Sequence, residues 1–119
     1  MLGGFDIAGM VGLYLGGALY QVPVPIDGVI SSVAALLAVK ICPASKKAML
    51  ATHVSAEPAG CMILDAIGLE PMITAGMRLG EGTGALCAIP MLDMACSVYQ
   101  GSTFGELSIE AYEEQDSQL

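Results

Sequence analysis

A single carboxylate enclosed by glycines is the pattern in this sequence best suited to chemistry. In MRLGEGTGALCAIP, Met77 to Pro90, Gly80, Gly82 and Gly84 surround Glu81, and an apolar run of helical character follows directly. Small residues let backbone N–H groups approach an anion, and the N-terminus of a following helix favours negative charge, so the loop reads first as a phosphate cradle. A carboxylate at its tip does not belong in a cradle. Beside apolar residues at a helix mouth, burial favours the protonated acid and the helix N-terminus favours the carboxylate. An acid balanced between the two can accept a proton from a nitrogen heterocycle near neutral pH. The plainer structural reading is that Glu81 complements the helix dipole from the first turn, an effect of about 0.3–1 kcal/mol.

Two other short stretches share this setting. Asp27-Gly28 ends the run V-P-V-P-I, and Ser55-Ala56-Glu57-Pro58 follows the apolar segment Met49 to Val54. Like Gly80 to Gly84, both stand where a strand gives way to a helix, and ligands of open α/β sheets bind outside the carboxyl ends of the strands. The glycine loop also satisfies the dinucleotide fingerprint G-x-G-x-x-[GA] with Gly80, Gly82 and Ala85. That fingerprint needs an acid at the end of a second strand about 20 residues later. Glu106 comes too late, and the sequence before it reads as one helix. No lysine follows the glycines, so the loop is not a Walker motif.

The remaining polar candidates have simple structural readings. His53 is expected to pack or bond locally at a strand end, and Glu57 to cap its helix. The eight methionines read as core filler. Cys42, Cys61, Cys87 and Cys96 form no C-x-x-C pair, and His53 is the only histidine, so no zinc set is expected. Their apolar contexts predict small buried hydrophobes, and no metal or separate cofactor is expected.

Composition bounds the elements that must position these groups. The chain has 119 residues, enough for one modest domain, and is 55% hydrophobic but only 13% charged. That apolar surplus implies burial against something outside this sequence, or contact with lipid. The net charge of −8, with Lys40, Lys46, Lys47 and Arg78 as the only basic residues, argues against nucleic acid. An acidic substrate would rest on backbone amides and helix N-termini. Ile7 to Ile26 is uncharged and long enough to span a membrane, but Gln21, Pro23 and Pro25 leave only about 14 residues of continuous helix. No basic cluster flanks it to set a topology, and no secretory signal is evident. The expectation is therefore a cytoplasmic chain, with membrane insertion as a lesser alternative.

Along the chain, Asp6 is placed to cap a helix over Ile7 to Tyr20, and Gly9, Gly12, Gly16 and Gly17 suggest close packing on one of its faces. A strand at Val22 to Ile26 follows, then a helix at Ile30 to Ile41, a polar loop at Pro43 to Lys47 and a strand at Met49 to Val54. A helix at Gly60 to Gly68, an extended piece at Met72 to Ala75, a long helix from Thr83 to about Tyr99 with Pro90 inside it, and a last helical piece at Leu107 to Tyr112 complete the reading. Strands alternating with helices predict the α/β class: part of a doubly wound, mostly parallel, Rossmann-like sheet with a C-terminal helical segment. The division falls between residues 1–93 and 94–119. About three strands are too few to cover such apolar helices, so the sheet is expected to be part of a larger one.

Taken together, GGFDIAGM, PVPIDGVISSVAALLA, THVSAEPAG and GLEPMITAGMRLGEGTGA resemble the nicotinate-nucleotide:dimethylbenzimidazole phosphoribosyltransferases, over their C-terminal third. The resemblance implies transfer of a phosphoribosyl group from nicotinate mononucleotide to a benzimidazole, with inversion at the anomeric carbon, giving nicotinate and α-ribazole phosphate. It implies that Glu81 is the general base and that Leu79 lines the benzimidazole pocket. By the same resemblance, Asp27, Gly28 and Ser55 lie against the phosphoribosyl moiety, with Gly80 and Gly82 shaping the loop. No metal is needed for this chemistry in the family. Where the family often has Gly-His after SAEP, this chain has Ala59-Gly60. The family's N-terminal two-thirds, which carries further active-site residues, has no counterpart here. The chain is accordingly expected to be a fragment, a split half needing its partner portion, or the product of an incomplete gene. It is expected to be inactive alone and dimeric when complete. A non-catalytic assembly role is the alternative.

Overall fold

The fold is built on one βαβ unit with helices added at either end. A computed structural model describes residues 4–78, 80–102 and 106. The expected helical piece at Leu107 to Tyr112 and the acidic tail lie outside the described residues. Helix α1 spans Phe5–Tyr20 and strand β1 Val24–Ile26, followed by α2 at Val29–Ile41. A 3-10 helix at Pro43–Ala48 leads into β2 at Met49–Ala51, with α3 at Pro58–Ile67 and α4 at Thr83–Tyr99 after it. The two strands are parallel, pairing Val24 with Met49, Pro25 with Leu50 and Ile26 with Ala51. Parallel neighbours need a crossover, and α2 supplies it.

The strands are shorter than expected, and the third shrinks to one bridge. Prolines at 23 and 25 withhold two ladder donors, which confines β1 to three residues. Past Ala51 the chain still bonds to β1, Thr52 N–H donating to the Ile26 carbonyl at 3.2 Å, and on its other side it meets the Met72 to Ala75 segment: Met72 N–H donates to the Ala51 carbonyl at 3.0 Å and Ile73 N–H to that of Thr52 at 2.9 Å. His53 and Ile73 form an isolated parallel bridge. The α/β class therefore stands, as a two-stranded parallel sheet with a third segment alongside.

Alanines at 34, 35 and 38 on α2 are fully buried and bring that helix close to its neighbours. With Tyr14, Ile26, Met49, Ala51, Leu64 and Ile67 they form the core, to which α1 and α3 each contribute one face. Gly17 permits the contact between α1 and β1, because a Cβ there would strike the Val24 side chain and come within 2.8 Å of the Val22 carbonyl oxygen. The other expected contact glycines behave differently: a Cβ at Gly9, Gly12 or Gly16 would meet nothing within 4 Å. Asp6 also departs from expectation. Helix α1 begins after Gly4, whose backbone is extended, so Asp6 lies inside the first turn and does not cap it.

Helix α4 leaves the body after its first turns. Gly84 and Ala88 are buried, whereas Leu86, Ile89, Met94, Val98 and Tyr99 are exposed. The cysteines expected in the core are exposed as well, all four of them free thiols. Cys87 and Cys96 lie on the outward faces of α4, Cys61 on the open side of α3, and Cys42 just past the end of α2. Apolar sequence context marked helix faces correctly, but those faces carry no covering layer among the described residues. The expected division at residue 93 falls within α4, which runs on to Tyr99.

Candidate functional site

Three helix N-termini converge where β1, β2 and the bridging segment end. Helix α2 starts at Gly28, whose carbonyl accepts hydrogen bonds from the Ser31 and Ser32 hydroxyls at 2.9 and 2.8 Å. Helix α3 starts at Glu57 with Pro58 in its first turn, where proline costs no hydrogen bond. The Ser55 hydroxyl there accepts from the Glu57 N–H at 3.3 Å. Ala56 N–H donates to the Met77 carbonyl at 3.1 Å, tying this junction to the strand-like approach to the glycine loop. Helix α4 starts at Gly82.

Between these helix starts lies a cavity of about 530 Å³. It brings together Asp27, Gly28, Ser55, Gly80, Glu81 and Gly82, six of the seven residues singled out in the sequence. The seventh, Leu79, lies outside the described residues. His53, Glu57 and Arg78 line the same space. Among the described residues Arg78 is the one lysine or arginine in this lining, which nothing in its sequence context signals. A larger cavity of about 690 Å³ sits at the far end of α1 beside the 3-10 helix, and its described lining is mostly apolar, with no acid or histidine.

The glycine loop is a tight turn of unusual hand. Glu81 has φ 63° and Gly82 φ 85° with ψ 1°, and Thr83 N–H faces the Gly80 carbonyl at 3.4 Å. Positive φ at both central positions is the signature of a type I′ turn, in which the first central residue usually is Asn, Asp or Gly. A glutamate there costs about 1–2 kcal/mol of backbone strain. At the corner of the turn Glu81 is exposed rather than set among apolar neighbours as expected.

Asp27 holds this turn. Its Oδ2 accepts from Gly82 N–H at 2.9 Å and its Oδ1 from Ala85 N–H at 3.1 Å. Gly82 has no side chain with which to cap α4, and the two N–H groups are those that a capping box would satisfy. One carboxylate 55 residues away from Gly82 in sequence serves both. Behind it, His53 is buried, with Nδ1 3.9 Å from Asp27 Oδ1 and 3.3 Å from the Thr52 hydroxyl. The Thr52 hydroxyl donates to the Ile26 carbonyl at 2.6 Å, so the proton between Thr52 and His53 belongs on Nδ1. Gly84 lies flat on the imidazole, where a Cβ would fall 2.7 Å from Cγ and nearer still to Nδ1 and Cε1.

Tyr14, buried in the core on α1, donates its hydroxyl to the Pro25 carbonyl at 3.3 Å. Burial pushes its pKa up to about 12, the nearby Asp27 carboxylate adds to the rise, and the Ser31 hydroxyl opposes it. The phenol therefore stays protonated at neutral pH. No group of three or more His, Cys, Asp or Glu side chains able to hold a metal ion occurs among the described residues, nor does a helix long and apolar enough to cross a membrane.

Comparison with known proteins places the chain as a whole. A family model described as a phosphoribosyltransferase matches residues 1–109. The chain belongs to this phosphoribosyltransferase family. Among curated relatives, the nicotinate-nucleotide–dimethylbenzimidazole phosphoribosyltransferase of Clostridium acetobutylicum is 51% identical over 112 residues, covering 93% of this chain and 32% of that protein. The protein of the same name from Ruminiclostridium cellulolyticum is 47% identical over the same shares. The crystal structure of nicotinate-nucleotide-dimethylbenzimidazole phosphoribosyltransferase from Thermus thermophilus superimposes with a TM-score of 0.86 at 35% identity, over 93% of this chain and 34% of that one. The chain thus spans about a third of the length of the phosphoribosyltransferases it matches.

Proposed function

We propose that this chain carries the catalytic-base segment of a phosphoribosyl transfer from nicotinate mononucleotide to 5,6-dimethylbenzimidazole, the step that builds the lower-ligand nucleotide of cobalamin. One nitrogen of the benzimidazole attacks the anomeric carbon, the bond from that carbon to the nicotinate nitrogen breaks, and nicotinate leaves with the bonding pair. The second ring nitrogen must shed its proton, and Glu81 accepts it. The product is α-ribazole 5′-phosphate. The observation that carries this reading is the left-handed backbone of Glu81, held at the cavity mouth by Asp27. Strain of this kind persists where the surroundings over-determine it, and such positions cluster at reacting sites.

On this reading the phosphate lies against Gly28 and Ser55 at the starts of α2 and α3. Leu79 faces the benzimidazole, and Gly80 and Gly82 give the turn its shape. The short sheet is part of a larger doubly wound one. The remainder of the site belongs to the N-terminal portion of the complete enzyme, the exposed faces of α1 and α4 are covered by that portion or by the second subunit of a dimer, and the complete enzyme works in the cytoplasm. The chain alone is inactive. Mixing it with a separately produced N-terminal portion of the Clostridium acetobutylicum relative, then following nicotinate release, tests this. Release that requires both parts supports transfer. A stable, folded complex without release supports a non-catalytic assembly chain instead.

A further inference from the structure

Asp27 has more to do with Glu81 than with the sugar phosphate. We propose that Asp27 is a positioning residue that clamps the loop carrying Glu81, and is not a ligand of the phosphoribosyl group. The inference rests on the reading of Glu81 given above and specifies how that side chain is held.

Each Asp27 oxygen already has a backbone partner, Gly82 N–H at 2.9 Å and Ala85 N–H at 3.1 Å. These amides are the ones that an anion at the start of α4 would need, so α4 has its anion from within the chain. The starts of α2 and α3, by contrast, carry no side-chain cap hydrogen bond, so their first amides are not taken up by a carboxylate as those of α4 are. The clamp is itself braced. Asp27 N–H donates to the Ser31 hydroxyl at 3.0 Å, and that hydroxyl donates to the Gly28 carbonyl. On the other side His53 and Gly84 fit so closely that the loop has no room to sink. The need for a clamp follows from φ 63° at Glu81, since without it the glutamate would relax toward negative φ and carry its carboxylate away. Displacement of a reacting group by about 1 Å costs up to about 100-fold in rate, which sets the scale for losing the clamp.

The test uses Asp27→Asn, which keeps one acceptor oxygen and turns the other into a donor. In this chain joined behind the N-terminal portion of the Clostridium acetobutylicum relative, kcat is expected to fall about 10- to 100-fold while KM for nicotinate mononucleotide moves less than about threefold. Combined with Glu81→Gln it should cost nothing further, because a residue acting only through Glu81 has nothing left to position. In the 119-residue chain itself, amide exchange at Gly82 and Ala85 should quicken about tenfold while the amides of β2 keep their protection. A rise in KM larger than the fall in kcat, or losses that multiply with those of Glu81→Gln, would make Asp27 a substrate ligand and overturn the proposal. Unchanged exchange at Gly82 and Ala85 overturns the clamp. Full activity of Glu81→Gln overturns instead the role of Glu81, and with it the catalytic half of the proposal.

Discussion

Glu81 holds a backbone conformation that a glutamate does not choose for itself, and Glu81→Gly puts that to use. Relief of about 1–2 kcal/mol of left-handed strain outweighs the extra chain entropy of glycine, about 0.5–1 kcal/mol, so thermal unfolding should show a net gain of roughly 0.5–1 kcal/mol. The same change should remove transfer from the completed enzyme. A destabilised variant would mean that Glu81 makes a stabilising contact instead. Tyr14 gives a second test at this scale. Its pKa is near 10 when unfolded and is raised to about 12 in the fold, chiefly by burial. The unfolded chain therefore ionises first, and the contribution of the neutral phenol is complete below about pH 10 and lost as pH rises toward 12. The stability gap between wild type and Tyr14→Phe should shrink across that window in chemical denaturation, and a constant gap would contradict it. The loop and its acid were legible in the sequence because glycine spacing is a local signal. The bonds from Asp27 were not, since that to Gly82 joins residues 55 apart that follow no shared period. Arg78 went unnoticed for the same reason, as only the folded loop brings it to the cavity.

At the scale of elements, two glycines fix how helices meet the sheet. Gly84 seats the start of α4 on the His53 ring, and Gly17 seats α1 on Val24. Gly84→Ala and Gly17→Ala should each destabilise the fold by about 1–3 kcal/mol in denaturant titration, the usual cost of overpacking. Only the first should also alter amide exchange at Gly82, and equal effects at that amide would deny Gly84 a specific role in the loop. The helices were readable in advance from long apolar runs punctuated by glycine and proline, and α4 was placed from Thr83 to Tyr99. The strands were readable only in position. Proline at 25 shortened β1, and past Thr52 the chain pairs with the Ile73 segment rather than with β1, effects that depend on which neighbour lies alongside. Apolar context likewise predicted helix faces without saying which are covered, which is why all four cysteines are exposed.

The whole molecule exposes more apolar surface than a free-standing domain keeps. Phe5 is 99% exposed, Val98 80% and Tyr99 92%, at opposite ends of the described chain. Burial contributes about 25 cal/mol per Å² of apolar surface, so these faces favour association. The chain alone should sediment above its monomer mass or bind a hydrophobic dye, and adding the N-terminal portion of a phosphoribosyltransferase should suppress both. Dye binding that persists in the complex would mean that the faces serve another partner. Composition anticipated this surplus, since 55% hydrophobic residues in 119 cannot all be covered by a fold of this size. The most direct test of the account remains at Glu81. In the completed enzyme, Glu81→Gln should reduce nicotinate release in single-turnover assays to a small residual rate while nicotinate mononucleotide still binds within about threefold of wild type. Release at a rate close to wild type would contradict the assignment of Glu81 as the proton acceptor.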